Sequence, residues 1–461
     1  MSSNQKTSRR DPRRSLLGGA VGSFVEWYDF LVYGLSATIL AQKFFPDSSP
    51  AAGLISTYAV YALSYFVRPV AGIYIGRVGD RIGRIRVLAV VVLVMGAGTA
   101  LPGLLPTYAT VGVAAPVLLV VCRLIQGATA GGEASGALSF LLEAAPPNRR
   151  GWWISIFAAS TWAPIVLASG LTLLLRAWFG NDAFTSWGWR IPFLFGGVIA
   201  LVGLWLRRRL EDPEEYVQAA QEHAEASLIV SAVRHHWRSM VLVAFLVAVQ
   251  GVGAYLLLSY MYSYLVTVTR LTSTEALISN AIGVGAMAVL VLPAGRLCDR
   301  FGRKSLMFAG AGWLVALSWP AMKLISAGGL GSSILGQVIL AIGVASFAAG
   351  GYVCMVELFS TSMRFTGHSI GYNVGYAIFG GTAPLVASTL VDKTGSPLSP
   401  GFYLMAISVV GLIAVFVTPE TRNVRLRDAG IPRDRLFSAS SLAREENSSV
   451  DPAATSSEGP V

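Results

Sequence analysis

Gly76-Arg77-Val78-Gly79-Asp80-Arg81-Ile82-Gly83-Arg84 and Gly295-Arg296-Leu297-Cys298-Asp299-Arg300-Phe301-Gly302-Arg303 are two copies of one short pattern. Each copy follows a long apolar run and precedes another. A charged pattern repeated at the same point of two apolar paths implies two related halves. In each copy an acid follows a helix, and the glycines and basic residues are expected to close a tight turn. Asp80 and Asp299 can accept hydrogen bonds from helix N-terminal amides or pair with arginine across the interface between halves. The expected gate therefore comprises Gly76, Asp80, Arg81, Gly83 and Arg84 in the first copy, with Asp299, Arg300, Gly302 and Arg303 in the second.

Composition narrows the class. The 461 residues are 54% hydrophobic and 13% charged, with a mean hydropathy of +0.60. Soluble domains carry about 25% charged residues, so this chain has too few charges to cover a water-soluble globule. The 49 glycines fall largely inside the apolar runs, where small residues let helices approach closely in a bilayer. An all-α integral membrane protein is expected.

Twelve transmembrane helices can be placed at 16–40, 52–76, 86–105, 112–143, 152–178, 189–209, 239–268, 275–295, 305–325, 332–357, 366–391 and 400–418. Each is long enough for the roughly 20 residues a crossing needs, and the continuous rather than alternating apolar runs exclude a β-barrel. They divide into an N-terminal six-helix bundle, 16–209, and a C-terminal one, 239–421. A cytoplasmic tail (1–15), a linker with amphipathic or partly helical character (210–238) and a tail (422–461) complete the chain. The end of that tail, 438–461, is rich in Ser, Glu and Pro and is expected to be disordered. Arginine and lysine crowd the N-terminal tail and the 2–3, 4–5, 6–7 and 8–9 connections. The 1–2 connection has only Lys43, and the 3–4 connection has neither residue. The positive-inside rule then puts both termini in the cytoplasm. The net charge of +10 is met by membrane lipid headgroups and requires no nucleic acid.

Several signals lead nowhere. Paired arginines at 9–10 and 13–14 imitate a secretion signal, but Glu26 and Asp29 interrupt the run that follows. Cys122, Cys298 and Cys354 are scattered, and His223, His235, His236 and His368 lack metal-ligand spacing. No G-x-x-x-x-G-K-[ST] phosphate loop occurs, so ATP-driven pumping is excluded. Neither a cofactor nor an enzymatic arrangement is expected.

The charges inside the apolar runs carry the chemistry. Glu26 and Asp29 lie three residues apart on one face of the first helix. A carboxylate at bilayer depth must face a cavity, pair with a cation or take up a proton, and a proton-coupling role is read for both. The alternative for this pair is a fixed ion pair with Arg68 or Arg123. Arginine keeps its charge and needs a permanent counter-charge. Arg123 is read either as gripping a substrate carboxylate or as holding a helix-1 acid, and Arg68, before Pro69, as structural and near the gate. Glu133 lies about 15 Å beyond Arg123 along its helix and is assigned to the gate. Gln126, Tyr28, Tyr33, Gln250, Tyr260, Tyr264, Asn373 and Tyr376 are the expected substrate contacts, with Tyr58, Tyr61, Tyr65, Tyr255 and Tyr372 nearby. Tyrosines there hydrogen-bond a carboxylate or meet a quaternary ammonium by cation–π attraction. Belting at the interface or helix packing is the competing role for any single tyrosine.

The duplicated G-R-x-x-D-R-x-G-R resembles the 2–3 and 8–9 signature of the major facilitator superfamily. Arg123-Leu124-Ile125-Gln126-Gly127 with Gly131-Gly132-Glu133 is similar to its helix-4 arginine motif. More narrowly, Gly22-Ser23-Phe24-Val25-Glu26-Trp27-Tyr28-Asp29-Phe30 resembles the metabolite:proton symporter family. So do Arg68-Pro69, Glu357-Leu358-Phe359, Arg364-Phe365-Thr366-Gly367, Gly371-Tyr372-Asn373 and Tyr376-Ala377-Ile378-Phe379-Gly380-Gly381. The resemblance covers nearly all of 16–421. It implies the major facilitator fold and import of a small organic acid or zwitterion with protons, as in relatives that carry shikimate, citrate, 2-oxoglutarate, or proline and betaine. Leu257-Leu258-Ser259-Tyr260-Met261-Tyr262-Ser263-Tyr264-Leu265 lies nearer the proline/betaine and citrate branches. The resulting expectation is a monomeric, multi-pass secondary transporter of the bacterial inner membrane. An exporter on the same fold is the rival reading. A nutrient sensor is a weaker one, since the linker and tail leave no room for a signalling domain.

Overall fold

The computed structural model describes residues 12–82, 84–130, 138–139, 141–143, 145–209, 226–359 and 364–422. Every regular element among them is helical. In chain order these are α1 Pro12–Phe44, α2 Pro50–Ile82, α3 Arg84–Leu104 and α4 Ala114–Ala130. Next come α5, built of Arg150–Trp162 and Pro164–Ala183, and α6, Arg190–Arg209. In the second half α7 runs Ala226–Tyr255, passes through a π-helical turn at Leu256–Tyr260 and continues as Met261–Thr267. Then follow α8 Ser273–Phe301, α9 Arg303–Ser326 and α10 Leu330–Glu357. α11 is Arg364–Gly375, a second π-helical turn at Tyr376–Gly380, and Ala383–Thr394; α12 is Ser399–Val417. Eight helices among the described residues are long and apolar enough to cross a membrane.

Their outward faces carry Phe66, Val70, Val289, Ile413 and Phe416, all exposed, as expected where lipid replaces water. Inside, α1 packs on α5 and α7, α2 on α4 and α11, and α8 on α5 and α10. The halves thus meet along α1–α7, α2–α11 and α5–α8.

The repeated pattern departs from the expected turn. α2 and α8 were expected to end near 76 and 295, yet they run on to Ile82 and Phe301. Nothing in Arg-x-x-Asp-Arg opposes a helix, so the break waits for the glycine. Gly302 adopts φ 101°, a conformation that favours glycine, and separates α8 from α9. At the other end of α8 a capping box starts the helix: Thr272 accepts from the Glu275 amide, and the Glu275 carboxylate accepts from the Thr272 amide. The stretch 226–238, expected in the linker, is helical and continuous with α7. Residues 1–11, 210–225 and 423–461 lie outside the described residues, as do Gly83 and Glu133.

Candidate functional site

One face of α1 delivers Glu26 and Asp29, both buried, to two arginines. Asp29 accepts from Arg123 Nη1 at 3.0 Å and from Gln126 Nε2 at 2.5 Å. These donors are three residues apart on α4, so one helix face presents both. The Arg123 guanidinium is fully buried and lies 3.7 Å from the centroid of the Tyr33 ring. Glu26 faces Arg68 at 3.4 Å, and Arg68 sits 4.6 Å over Phe30 and 4.1 Å over Tyr65. The open question at Arg123, substrate or helix-1 acid, has a geometric answer in this conformation: it holds Asp29.

These pairs leave donors over. Nε and Nη2 of Arg123, Nε and Nη2 of Arg68, and Nε1 of Trp27 are buried without a hydrogen-bond partner among the described residues. An excess of buried donors suits an anionic oxygen, because each unmet donor costs free energy. Beside them stands an aromatic cluster drawn from both halves. Tyr65 donates to the Tyr255 hydroxyl at 2.7 Å, and Tyr61 lies 3.3 Å from Tyr65 and 3.0 Å from Ser259 Oγ. Trp27 and Tyr376 bring their rings to 5.7 and 5.8 Å from that of Tyr255, and Gln250 donates to the Tyr376 hydroxyl at 3.2 Å.

Other expected contacts lie elsewhere. Tyr28 turns into its own half and donates to the Pro192 carbonyl of α6. Tyr264 donates to the Pro397 carbonyl between α11 and α12, and Tyr260 packs between Tyr58 and Tyr264. Asn373 donates to Ser369 on its own helix. Trp27, absent from the expected residues, sits at the centre of the cluster with Tyr255, which was expected nearby. The signal for Trp27 was available, since it falls between the two acids.

On the side where α8 ends, the halves are joined through the second copy of the pattern. Asp299 accepts from the Gly151 and Trp152 amides, the first of α5, at 2.8 and 2.9 Å. This is a carboxylate on a helix N-terminus across the interface. α8 comes this close because Gly295 and Gly151 face each other: a Cβ on Gly295 would stand 2.6 Å from the Gly151 carbonyl. Arg303 approaches Asp299 at 3.6 Å and donates from Nε to Glu357 at 3.2 Å. Buried Glu357 also accepts from Arg150 Nη1 at 3.0 Å and Thr421 at 2.6 Å, and Arg364 pairs with Glu143 at 2.7 Å. Glu357, Arg150, Glu143 and Arg364 were not singled out for the gate. Arg150 counted among the basic residues of the 4–5 connection, and Glu357 and Arg364 entered only through the family resemblance. Arg300 is exposed beside Phe301, and Arg68, expected near the gate, is occupied by Glu26. The side chains of Asp80, Arg81 and Arg84 and the surroundings of Gly76 lie outside what is described.

At the opposite end the halves also touch. Tyr58 donates to the Ser259 carbonyl at 3.0 Å and to Ser263 Oγ at 2.9 Å.

Two six-helix halves, a doubled charged pattern and buried acid–arginine pairs define a narrow class. Residues 17–236 and 207–430 match the family described as sugar (and other) transporter. The chain belongs to that family, within the major facilitator superfamily. It is a multi-pass membrane protein and a secondary transporter, not an enzyme. It is 32% identical over 95% of its length to the "Glycine betaine/proline/ectoine/pipecolic acid transporter OusA" of Dickeya dadantii, covering 89% of that protein. To the "Proline/betaine transporter" of Escherichia coli K12 it is 32% identical, covering 90% of this chain and 85% of that one. Among solved structures, the partially occluded inward open xylose transporter XylE from E. coli matches with a TM-score of 0.70 at 18% identity. That match covers 90% of this chain and 99% of XylE, and at such identity it speaks to the fold alone.

Proposed function

We propose that this transporter imports a small carboxylate-bearing zwitterion of the proline or betaine kind together with protons, by alternating access across the bacterial inner membrane. The observation that carries the reading is Asp29, buried and held by Arg123 and Gln126 beside rings from both halves. The carboxylate of an incoming zwitterion and the Asp29 carboxylate compete for the same guanidinium. Substrate that wins Arg123 leaves Asp29 without its cation in a dry site, where a buried carboxylate takes up a proton. Proton and substrate then move together, and Glu26 with Arg68 forms a second pair of the same kind. The cationic end of the zwitterion meets Trp27, Tyr65, Tyr255 and Tyr376, whose faces attract an ammonium. Asp299, Arg303 and Glu357 latch the halves on the side where α8 ends, which the basic connections assign to the cytoplasm. The transporter works as a monomer, its two halves supplying the whole site.

Uptake into proteoliposomes under an imposed pH gradient tests this reading, with labelled proline, glycine betaine, citrate, shikimate and 2-oxoglutarate. Accumulation of the zwitterions that collapses with a protonophore is the expected outcome. Outward flux driven by an inward proton gradient would overturn import and indicate an exporter.

A further inference from the structure

The buried arginines of the described residues obey a rule with one exception. Arg68 faces Glu26, Arg123 faces Asp29, Arg150 and Arg303 face Glu357, and Arg364 faces Glu143. Arg176 of α5 is 8% exposed and, among the described residues, has only neutral partners. Its Nη1 donates to Asn181 Oδ1 at 2.7 Å, its Nη2 reaches the Tyr262 hydroxyl at 3.5 Å, and its guanidinium lies 4.5 Å over the Phe184 ring. Its Nε is buried with no hydrogen-bond partner. A guanidinium does not lose its charge, so this site lacks an anion. The carbonyl end of α5, broken at Gly180 with φ 79°, offsets part of the charge but offers no full counter-ion.

Position narrows what the anion is. Arg176 lies about 40 Å along α5 from the Asp299 latch, at the opposite end of the molecule. Tyr262 belongs to α7, so the contact crosses from one half to the other. The neighbouring Trp178 and Phe179, 75% and 47% exposed, cover the outward face, while Arg176 points inward among Phe184 and Tyr262. We propose that Arg176 is a docking site for the carboxylate of the incoming substrate, uncovered when the halves part at this end and covered by Tyr262 when they close. This inference deepens the proposed function and rests on a carboxylate-bearing substrate.

The test compares wild type with Arg176→Gln and Arg176→Lys, each purified and reconstituted. Arg176→Gln is expected to raise the uptake KM for glycine betaine about tenfold or more, as loss of one charged contact does, with kcat within about twofold. Arg176→Lys falls between, keeping the charge without the fork. Choline, a cation without a carboxylate, is expected to compete equally with all three. Unchanged KM in both variants overturns the proposal, and should the glutamine variant not fold, the lysine variant decides alone. Wild-type uptake that depends on phosphatidylglycerol, with a dependence lost in Arg176→Gln at unchanged KM, would assign the site to a lipid phosphate and overturn the proposal. Absence of zwitterion uptake by wild type would defeat the proposed function instead. Thermal unfolding with acetate still reads the site in that case: a smaller acetate-induced shift in Arg176→Gln than in wild type supports docking, and an equal shift overturns it.

Discussion

Asp29 has two donors on one helix face, and its charge and its shape can be removed separately. Asp29→Asn keeps the shape, so the expected loss is of uphill accumulation, with exchange of substrate across the membrane retained. Accumulation against a gradient at the wild-type level would remove Asp29 from the coupling step. The same substitution leaves Arg123 buried without its counter-charge, a loss worth about 3–5 kcal/mol for a broken buried pair, so the unfolding temperature is expected to fall. Arg123→Lys replaces a forked donor by a point charge and is expected to raise KM about tenfold, read in the same uptake assay. Both arginine–acid contacts were legible as alternatives in the sequence, because Glu26, Asp29, Arg68 and Arg123 are too costly in a bilayer to stand alone. Which acid meets which arginine was not, since the pairing depends on how α1 rotates against α2 and α4.

The elements fix where the two halves are joined. α8 runs straight through the charged pattern and stops only at Gly302, whose positive φ admits no other residue without strain. An added Cβ there would also meet Glu420, which caps the first amides of α9 at Arg303 and Lys304. Gly302→Ala is therefore expected to destabilise the protein by about 1 kcal/mol or more, seen as a lower unfolding temperature. Gly295→Val pushes α8 off α5 at the Gly151 carbonyl and weakens the Asp299 latch. Cys298, fully buried behind that contact, is then expected to react with a maleimide several times faster than in wild type. The π-helical turns at 256–260 and 376–380 had no signature beyond their position among polar and aromatic residues. They lie where α1 and α2 meet α7, at Gly34 and Tyr58, and where α11 packs on α7, contacts between distant parts of the chain.

At the scale of the whole molecule, the halves are joined at both ends at once. The Asp299, Glu357 and Arg364 contacts hold one end, and the Tyr58 contacts with α7 hold the other. Under the alternating access proposed above, the balance between them sets which end opens. Tyr58→Phe removes the donor to Ser259 and Ser263, and a lost hydrogen bond of about 1 kcal/mol shifts a two-state balance about fivefold. Greater accessibility of a cysteine placed at Ser263 is the expected outcome in that background, measured against the same cysteine beside Tyr58. Asp299→Asn acts on the other end and is expected to shift the balance the opposite way.

Membrane class, the all-helical fold and the relation between halves followed from the sequence, because a bilayer imposes length and polarity rules that act on each segment separately. The tertiary structure decided the partners: Asp29 with Arg123 and Gln126, Glu26 with Arg68, Asp299 with the amides of α5, and Trp27 with Tyr255. It also left Arg176 without an acid among the described residues and turned Tyr28 away from the centre. Those outcomes depend on the rotation and approach of helices far apart in the chain, which packing fixes and no local pattern encodes.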